Sequence, residues 1–343
     1  MSNMRQRQVT IELLRVVAMM MVLALHANFI AIGKPSDSTI FSCQGITQTI
    51  AQSLCICAVN TFVMISGWFG ITPRIQGFAN FMWQVFYFVF LSYIVFYLFD
   101  NMPISSKDVM SCFGLFSGGW FVSSYIGLHI FSPALNTFAR TSTEKELSAF
   151  LVAFFLFELV WGNTASVPFV VGGHSTFSFI GIYLLASLIK KSDIKVKPRA
   201  SLVLFCLCCL FNALLYPLTV YFRLDVLTSM IFNYINPLVI ASSALLLLTF
   251  ANMPDIKNKF FRILILWLGP SCFAAYLLHV GTNLSLNAYT EMMRELYDIS
   301  PGPIGFAYAV CCIIAIFLSA VLLDQPRKMI WKYIISPAFQ KLR

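Results

Sequence analysis

Charged side chains are scarce in this chain of 343 residues: Asp, Glu, Lys and Arg together make up 11%, whereas hydrophobic residues make up 59%. Soluble domains carry about 25% charged residues and use them to cover their surface. This composition excludes a soluble globular protein. It also excludes a disordered chain, since Phe alone occurs 34 times. What remains is a membrane protein that crosses the bilayer several times.

The cysteines of this chain lack the polar sequence surroundings that metal or redox sites have. The ten Cys residues lie mostly inside apolar runs, whereas a zinc site needs grouped thiolates and a disulfide scaffold needs polar loops. We therefore expect no metal site. The net charge is +9, but Lys and Arg punctuate the apolar runs instead of clustering in a polar domain, so we expect no nucleic-acid partner. The partner that this composition indicates is the lipid bilayer.

Apolar runs of about 20 residues, the length of a helix that spans a bilayer, alternate with turn-rich breaks along the chain. The sequence therefore predicts an all-α, polytopic membrane helix bundle with about ten transmembrane helices, forming one integral-membrane domain over residues 1–343. The longest breaks are predicted to be linkers at 99–110, 162–176 and 283–303. The predicted spans are 11–31, 45–69, 78–99, 110–137, 147–162, 176–190, 201–222, 231–250, 262–283 and 303–323.

The distribution of basic residues predicts an orientation. With the N-terminus inside, eighteen Lys and Arg residues fall on the inner side, and Lys34, Lys107, Arg223 and Arg294 fall on the outer side. Such a bias follows the positive-inside rule. We therefore expect both termini in the cytoplasm and a multi-pass protein of a cell membrane, the plasma or inner membrane of a bacterium.

Three ionisable residues lie inside the first predicted span, where such groups are costly and usually face the protein interior. Arg15 and His26 are eleven residues apart, so they share one helical stripe to within about 20°, with His26 about 16 Å deeper. Glu12 lies on the same stripe, three residues from Arg15, at a spacing that suits an ion pair. The alternative is an interfacial Glu12–Arg15 pair and a histidine that merely packs.

Four segments of the chain, in this order along it, resemble motifs of the acyltransferase-3 family of integral-membrane acyltransferases. The first is the acidic residue, Arg15 and His26 of the opening span. The resemblance covers nearly the whole chain in order, with two departures. Glu12 stands where the family more often has Asp, and His129 stands where a Tyr is common. The other three segments are VNTFVMISGWFGI (59–71), GGWFVSSYIGLHIFSPAL (118–135) and SCFAAYLLH (271–279).

The resemblance implies transfer of an acyl group, acetyl by default, from cytoplasmic acyl-CoA to a hydroxyl of a cell-surface or lipid-linked carbohydrate. Acetyl-CoA or another acyl-CoA is then a donor substrate, and no bound cofactor is expected. Removal of the hydroxyl proton needs a base that titrates near neutral pH, and we assign His26 as this base or as a transient acyl acceptor. Arg15 would hold a donor phosphate or orient the site, and Glu12 would fix Arg15.

Six further residues are candidates for substrate or donor binding, each with a plain structural alternative such as core packing, an aromatic belt or membrane topology. The roles of Glu158, His129 and His174 stay undecided from sequence. A transporter or flippase of lipid-linked sugars is the alternative function, although we find no repeated halves of the kind common in transporters. The six candidates are His279, Tyr276, Arg74, Ser66, Trp120 and Tyr125.

Overall fold

The computed structural model describes residues 8–100, 105–113, 119–164, 169–299 and 303–341, and these residues form helices and connecting turns without a strand. The all-α prediction is therefore confirmed. The helices are α1 (Val9–Leu25), α2 (Cys43–Cys55), α3 (Ala58–Phe69), α4 (Ile75–Asp100), α5 (Ser106–Cys112), α6 (Trp120–Thr141), α7 (Glu144–Thr164), α8 (Thr176–Lys191), α9 (Pro198–Tyr221), α10 (Asp225–Ile231), α11 (Pro237–Ala251), α12 (Lys259–Leu268), α13 (Cys272–Val280), α14 (Asn283–Ile299), α15 (Pro303–Ile330) and α16 (Ser336–Lys341).

Among the described residues, six helical stretches are long and apolar enough to cross a membrane, and α11 is a shorter apolar helix. The predicted spans 110–137, 147–162 and 176–190 correspond to α6, α7 and α8, which are helical but are not among the six. The total of about ten spans and the cytoplasmic location of both termini stay predictions. The six stretches are Val9–Ile30, Cys43–Phe69, Ile75–Phe99, Pro198–Tyr221, Lys259–Val280 and Ile304–Phe339.

Helix starts follow ordinary capping signals in the sequence. The Ser42 hydroxyl accepts a hydrogen bond from the Gly45 amide at the start of α2, and the Asn258 side chain accepts from the first amides of α12. Pro198 and Pro237 occupy the first turns of α9 and α11, where the missing N–H is not needed. Local chemistry therefore sets several of the boundaries.

Three of the predicted elements differ from the observed ones. The span 45–69 is broken between α2 and α3, where the Ser243 hydroxyl of α11 donates to the Cys57 carbonyl. The span 262–283 contains a 3-10 turn at Gly269–Ser271. The linker prediction for 283–303 is wrong, because α14 occupies Asn283–Ile299; its charged face hid it from a search for apolar runs.

Helix α1 lies at the centre of the bundle and packs against α2, α3, α11, α12, α13 and α15. The neighbouring pair α3 and α8 approaches closely at Gly67, where a Cβ would stand 2.2 Å from the Tyr183 carbonyl oxygen. Small residues permit such close contact between membrane helices. This contact fixes the end of α3, where the Ser66–Gly67–Trp68 motif lies, against α8.

Helix α9 shows which surface faces lipid. It presents a row of large apolar side chains that are about half exposed, an arrangement that soluble proteins avoid and a bilayer stabilises. The opposite face of α9 packs on α2 and α11. The exposed row consists of Leu202, Val203, Leu204, Leu207, Leu210, Phe211, Leu214 and Leu218.

Candidate active site

The backbone around His26 departs from α-helical geometry. His26–Ile30 forms a π-helical turn at the end of α1, in which the Ala31 amide bonds the His26 carbonyl at 3.1 Å. Wider turns of this kind are rare and frequently occur at functional sites. The Asn28 side chain donates to the Gln48 carbonyl at 2.8 Å and anchors the turn to α2.

His26 and His279 form a directly bonded pair, which the sequence had placed in separate roles. His26 Nδ1 and His279 Nε2 are 2.9 Å apart, and their ring centroids are 5.1 Å apart. His279 is 2% exposed, and its Nδ1 lies 2.6 Å from the Ala275 carbonyl oxygen. The chain of contacts therefore runs from a backbone carbonyl through one imidazole to the next.

This chain assigns the proton positions of both neutral imidazoles. A neutral histidine carries one N–H and one lone pair, and a carbonyl oxygen only accepts. His279 Nδ1 must therefore carry the proton that the Ala275 carbonyl accepts, and His279 Nε2 is an acceptor. His26 Nδ1 then donates to His279 Nε2. His26 Nε2 is left with its lone pair, which is the arrangement that a general base or a nucleophile requires.

Helices α1 and α13 run parallel, and a glycine permits their approach. Glu12 lies against Gly269, whereas His26, later in α1, meets His279, later in α13. A Cβ at position 269 would stand 2.4 Å from Glu12 Oε2, so no side chain fits there without displacement of the carboxylate. Because Gly269 has no side chain, the Glu12 carboxylate can pack against the turn that precedes α13.

Glu12 and Arg15 form the ion pair that their spacing predicts. Arg15 Nη1 donates to Glu12 Oε1 at 2.8 Å, and the guanidinium carbon lies 5.8 Å from the Phe69 ring centroid. Glu12 is 3% exposed, whereas the Arg15 side chain is 30% exposed. Glu12 Oε2 has no hydrogen-bond partner in the described part of the chain. The carboxylate thus holds one edge of Arg15 while other guanidinium donors stay accessible.

Ser66 and Tyr125 meet on the Arg15 side of the site. The Ser66 hydroxyl and the Tyr125 hydroxyl are 3.1 Å apart, and Arg15 Cζ lies 5.8 Å from the ring centroid of Phe69, three residues after Ser66. Arg74 is exposed in the turn before α4 and does not join this group. The structure therefore brings Ser66 and Tyr125 to the arginine and leaves Arg74 apart.

Trp120 and Tyr276 belong to an aromatic cluster on the histidine side. The Trp120 ring lies 4.4 Å from the His174 ring and 5.6 Å from the Tyr234 ring. The Tyr276 hydroxyl packs against Gly119, next to Trp120, and the Tyr276 ring lies 6.1 Å from His279. His174, whose role the sequence left undecided, therefore lies within this aromatic cluster. This aromatic cluster connects to the histidine pair through Tyr276.

The two remaining undecided residues lie away from the histidine pair. His129 packs on the Phe78 ring at 5.1 Å. Glu158 is 1% exposed, interacts with Ser178 at the start of α8, and has one oxygen without a hydrogen-bond partner among the described residues. No three His, Cys, Asp or Glu side chains converge to hold a metal ion within the ranges that the structure describes.

Sequence reasoning missed Tyr289, which lies on the unpredicted helix α14. Its hydroxyl donates to the Leu23 carbonyl at 2.8 Å, one turn before His26, and its ring lies 5.1 Å from the His279 ring. Further along α14, Arg294 donates to the Ala31 carbonyl at 3.0 Å. These two bonds bracket the π-helical turn. A Tyr in a weakly apolar segment gave no signal that could have revealed this role.

An ionic cluster near the end of α15 was also missed. Asp324 Oδ1 accepts from Arg327 Nε at 2.5 Å, and Asp324 Oδ2 lies 3.1 Å from Lys328 Nζ. Gln84 from α4 also donates to Asp324, and Lys328 Nζ donates to the Ser271 hydroxyl at 2.5 Å. The i, i+3, i+4 spacing was a usable signal, but these cations had been attributed to membrane topology alone.

The fold and the site together define an all-helical membrane protein with a hydrogen-bonded, partly buried histidine pair. The acyltransferase-3 family model, which describes an acyltransferase domain, matches residues 8–325, nearly the whole chain. The chain belongs to this family of membrane acyltransferases, as its motifs predicted. No curated protein and no solved structure matches the chain significantly.

Proposed function

We propose that this protein transfers an acyl group, acetyl by default, from cytoplasmic acyl-CoA to a hydroxyl of a cell-surface or lipid-linked carbohydrate. The observation that carries the proposal is the chain from the Ala275 carbonyl through His279 to His26, with contacts of 2.6 and 2.9 Å, which leaves His26 Nε2 basic. Family membership supports acyl transfer as the reaction class.

As a base, His26 Nε2 takes the proton of the acceptor hydroxyl while the hydroxyl oxygen attacks the thioester carbonyl. The C–S bond then breaks, and the CoA thiolate takes the proton from the imidazolium. His279 Nε2 keeps accepting from His26 Nδ1–H throughout, so it favours the charged imidazolium. As a covalent relay, the same Nε2 lone pair attacks the thioester first, and the C–S bond breaks to release the CoA thiolate. The acceptor hydroxyl then attacks the acyl-imidazolium, the N–C bond breaks to restore the neutral His26, and the CoA thiolate takes the hydroxyl proton. The geometry suits both routes, and in both His279 is a positioning residue rather than a binding residue.

The two substrates would approach from opposite ends of the α1 stripe. The cationic end at Arg15 suits the phosphates of acyl-CoA, and the predicted excess of basic residues in the loops on that side supports a cytoplasmic location for it. The aromatic cluster of Trp120, His174 and Tyr234 suits a sugar, since it offers apolar ring faces with polar edges. Acetyl would then pass from a cytoplasmic donor to an acceptor on the outer side of a bacterial plasma membrane.

The direct test follows radiolabelled acetyl from acetyl-CoA into membrane glycan. Membranes that contain the protein are expected to incorporate label, and His26→Ala should reduce incorporation by at least about 10²-fold because the base is lost. His129→Ala, which removes a histidine that packs on Phe78, serves as the matched control and should retain activity. Incorporation by His26→Ala at the control level would remove His26 from the mechanism. Glycan translocation without label would favour the flippase.

A further inference from the structure

Four aromatic rings from α4, α6 and α13 form one packed group, the ring partition. The Phe81 ring lies 5.2 Å from the Phe273 ring with the planes 20° apart, and Phe273 lies 5.8 Å from Tyr276 with the planes 8° apart. The Phe121 ring completes the group, at 6.3 Å from Phe273 and 5.3 Å from Tyr276. Phe121 is 8% exposed and Tyr276 is 7% exposed. Aromatic rings attract one another at such separations, so the four rings form a coherent apolar wall.

The ring partition lies between the two ends of the candidate site. On α13, Phe273 and Tyr276 come after Gly269, where the ion pair of α1 packs, and before His279 of the histidine pair. Because α1 and α13 run parallel, these two rings occupy the levels between the ion pair and the histidine pair. An acyl group that travels from the cationic end of α1 to His26 therefore passes beside the ring partition.

The ring partition also touches both proposed substrate regions. On the donor side, the Phe81 ring lies 5.4 Å from the Tyr125 ring. On the acceptor side, the Tyr276 hydroxyl fits against Gly119, where a Cβ would stand 2.8 Å from the hydroxyl oxygen. Gly119 directly precedes Trp120 of the aromatic cluster. The four rings thus lie between the donor region and the acceptor region.

The proposed chemistry makes water a competitor of the acceptor. A base that takes the proton of a sugar hydroxyl also takes a proton of water. Water would attack the thioester carbonyl while His26 takes one of its protons, the C–S bond would break, and the CoA thiolate would take that proton. The products would be acetic acid and CoA. Exclusion of water from a closed site prevents this kind of side reaction.

We infer that the ring partition keeps water from the thioester and that Tyr276 determines the choice between transfer and hydrolysis. The inference rests on the proposed function, which supplies the thioester. The Tyr276 ring packs on the ring partition and lies 6.1 Å from His279, and its hydroxyl fits against Gly119, so this side chain fills the place where these groups meet. Apolar rings are costly to hydrate, which keeps the wall dry. The alternative is that the rings only pack the core.

Release of labelled acetate from acetyl-CoA, measured without glycan by the full-length protein in lipid vesicles, tests this role. Tyr276→Ala opens the wall and should raise acetate release by about tenfold, which corresponds to a barrier lower by about 1.4 kcal/mol. Tyr276→Phe keeps the ring and should restore low release. Phe154→Ala is the matched control, because Phe154 is also 8% exposed but stacks on Phe177 between α7 and α8. It should release acetate at the wild-type rate.

A second variant and a double variant make the result decisive. Phe121→Leu removes another ring of the wall and should raise acetate release in the same direction, whether or not Tyr276→Ala folds. Adding His26→Ala to Tyr276→Ala should abolish the extra release, which assigns it to the histidine site. Release by Tyr276→Ala or Phe121→Leu at the level of Phe154→Ala, or extra release that persists without His26, overturns the inference. Failure of the wild-type protein to transfer label to membrane glycan overturns the proposed function instead, so the two failures are distinguishable.

Discussion

The histidine pair of His26 and His279 and the ionic cluster of Asp324, Arg327 and Lys328 are both buried between helices, but different contacts hold them. Neutral hydrogen bonds fix the histidine pair, and His26 Nε2 keeps a lone pair. In the ionic cluster, one fully buried carboxylate receives two cations and an amide. The histidine pair therefore keeps a lone pair that can react with a substrate, whereas in the ionic cluster the Asp324 carboxylate and its cations are paired with one another.

The two clusters also connect different helices. The histidine pair joins α1 to α13, and Tyr289 ties this contact to α14. The ionic cluster joins α15 to α4, and Lys328 extends it to Ser271 in the turn before α13. Helix α13 therefore carries the histidine at one end and is anchored through the ionic cluster at the other. We expect mutations in the ionic cluster to affect stability and mutations around the histidines to affect rate.

The largest stability effect is expected for Asp324→Asn. The change leaves Arg327 and Lys328 without their carboxylate, and Arg327 is 3% exposed. Removal of one partner from a buried ionic group costs about 3–5 kcal/mol. We therefore expect a lower melting temperature in detergent, with label transfer per folded molecule largely retained.

Asp255→Asn is the matched control for this loss of charge. Asp255 pairs with Arg262 at 3.1 Å, but its side chain is 71% exposed, and exposed pairs contribute about 0–1 kcal/mol. A melting temperature for Asp324→Asn equal to that of Asp255→Asn would show that the ionic cluster does not anchor α15.

For the histidine pair, His279→Leu should lower the rate of label transfer by about 10- to 100-fold, the range seen when the residue that orients a metal-ligating histidine is removed. Leucine fills the space but cannot accept from His26 Nδ1. The His26 imidazole then loses the hydrogen bond that fixes its tautomer and its orientation. The measurement is kcat for acetyl transfer alongside CoA binding, which should stay unchanged.

His279→Gln provides the internal comparison, because its amide oxygen can accept the same hydrogen bond. We expect it to retain more of the rate than His279→Leu. Equal rates for the two variants would show that His279 contributes packing and not proton placement.

The sequence predicted much of this arrangement, since ionisable residues in an apolar helix stand out. Glu12, Arg15 and His26 were found on one stripe, and the structure places Arg15 on Glu12 as the three-residue spacing indicated. The all-helical fold was predicted from the high hydrophobic content and from apolar runs of about the length of a membrane-spanning helix. Boundaries inside the long apolar runs were harder. The break at Ile56–Cys57 is in contact with another helix through Ser243, whereas the 3-10 turn at Gly269–Ser271 contains a Gly-Pro pair, a local signal that the prediction of one continuous span passed over.

The partner of His26 could not be derived from the sequence, because 253 residues separate it from His279. His279 had been identified as a candidate, but a pairing needs the relative placement of α1 and α13. The π-helical turn has no recognisable sequence pattern here. Helix α14 escaped detection because charged residues such as Glu291, Arg294 and Glu295 interrupt its apolar positions.

The smallest expected effect tests whether α14 contributes to the histidine site. Tyr289→Phe removes the hydroxyl that donates to the Leu23 carbonyl at 2.8 Å and keeps the ring against His279. A hydrogen bond of this kind contributes about 1 kcal/mol, which corresponds to about fivefold in rate if it is used to position His26. We expect kcat to fall by that factor with an unchanged KM for acetyl-CoA, because the donor contacts at Arg15 are not altered.

Tyr297→Phe, on the same helix, is the matched control, since Tyr297 lies two turns beyond Tyr289 and away from the histidine pair. Its kcat should equal that of the wild-type protein. A fall in melting temperature for Tyr289→Phe without a change in kcat would mean that the hydroxyl only holds α14 in place. In that case the geometry of the π-helical turn would be set by Asn28 and α2, and the difference between the two buried clusters would lie in their charges alone.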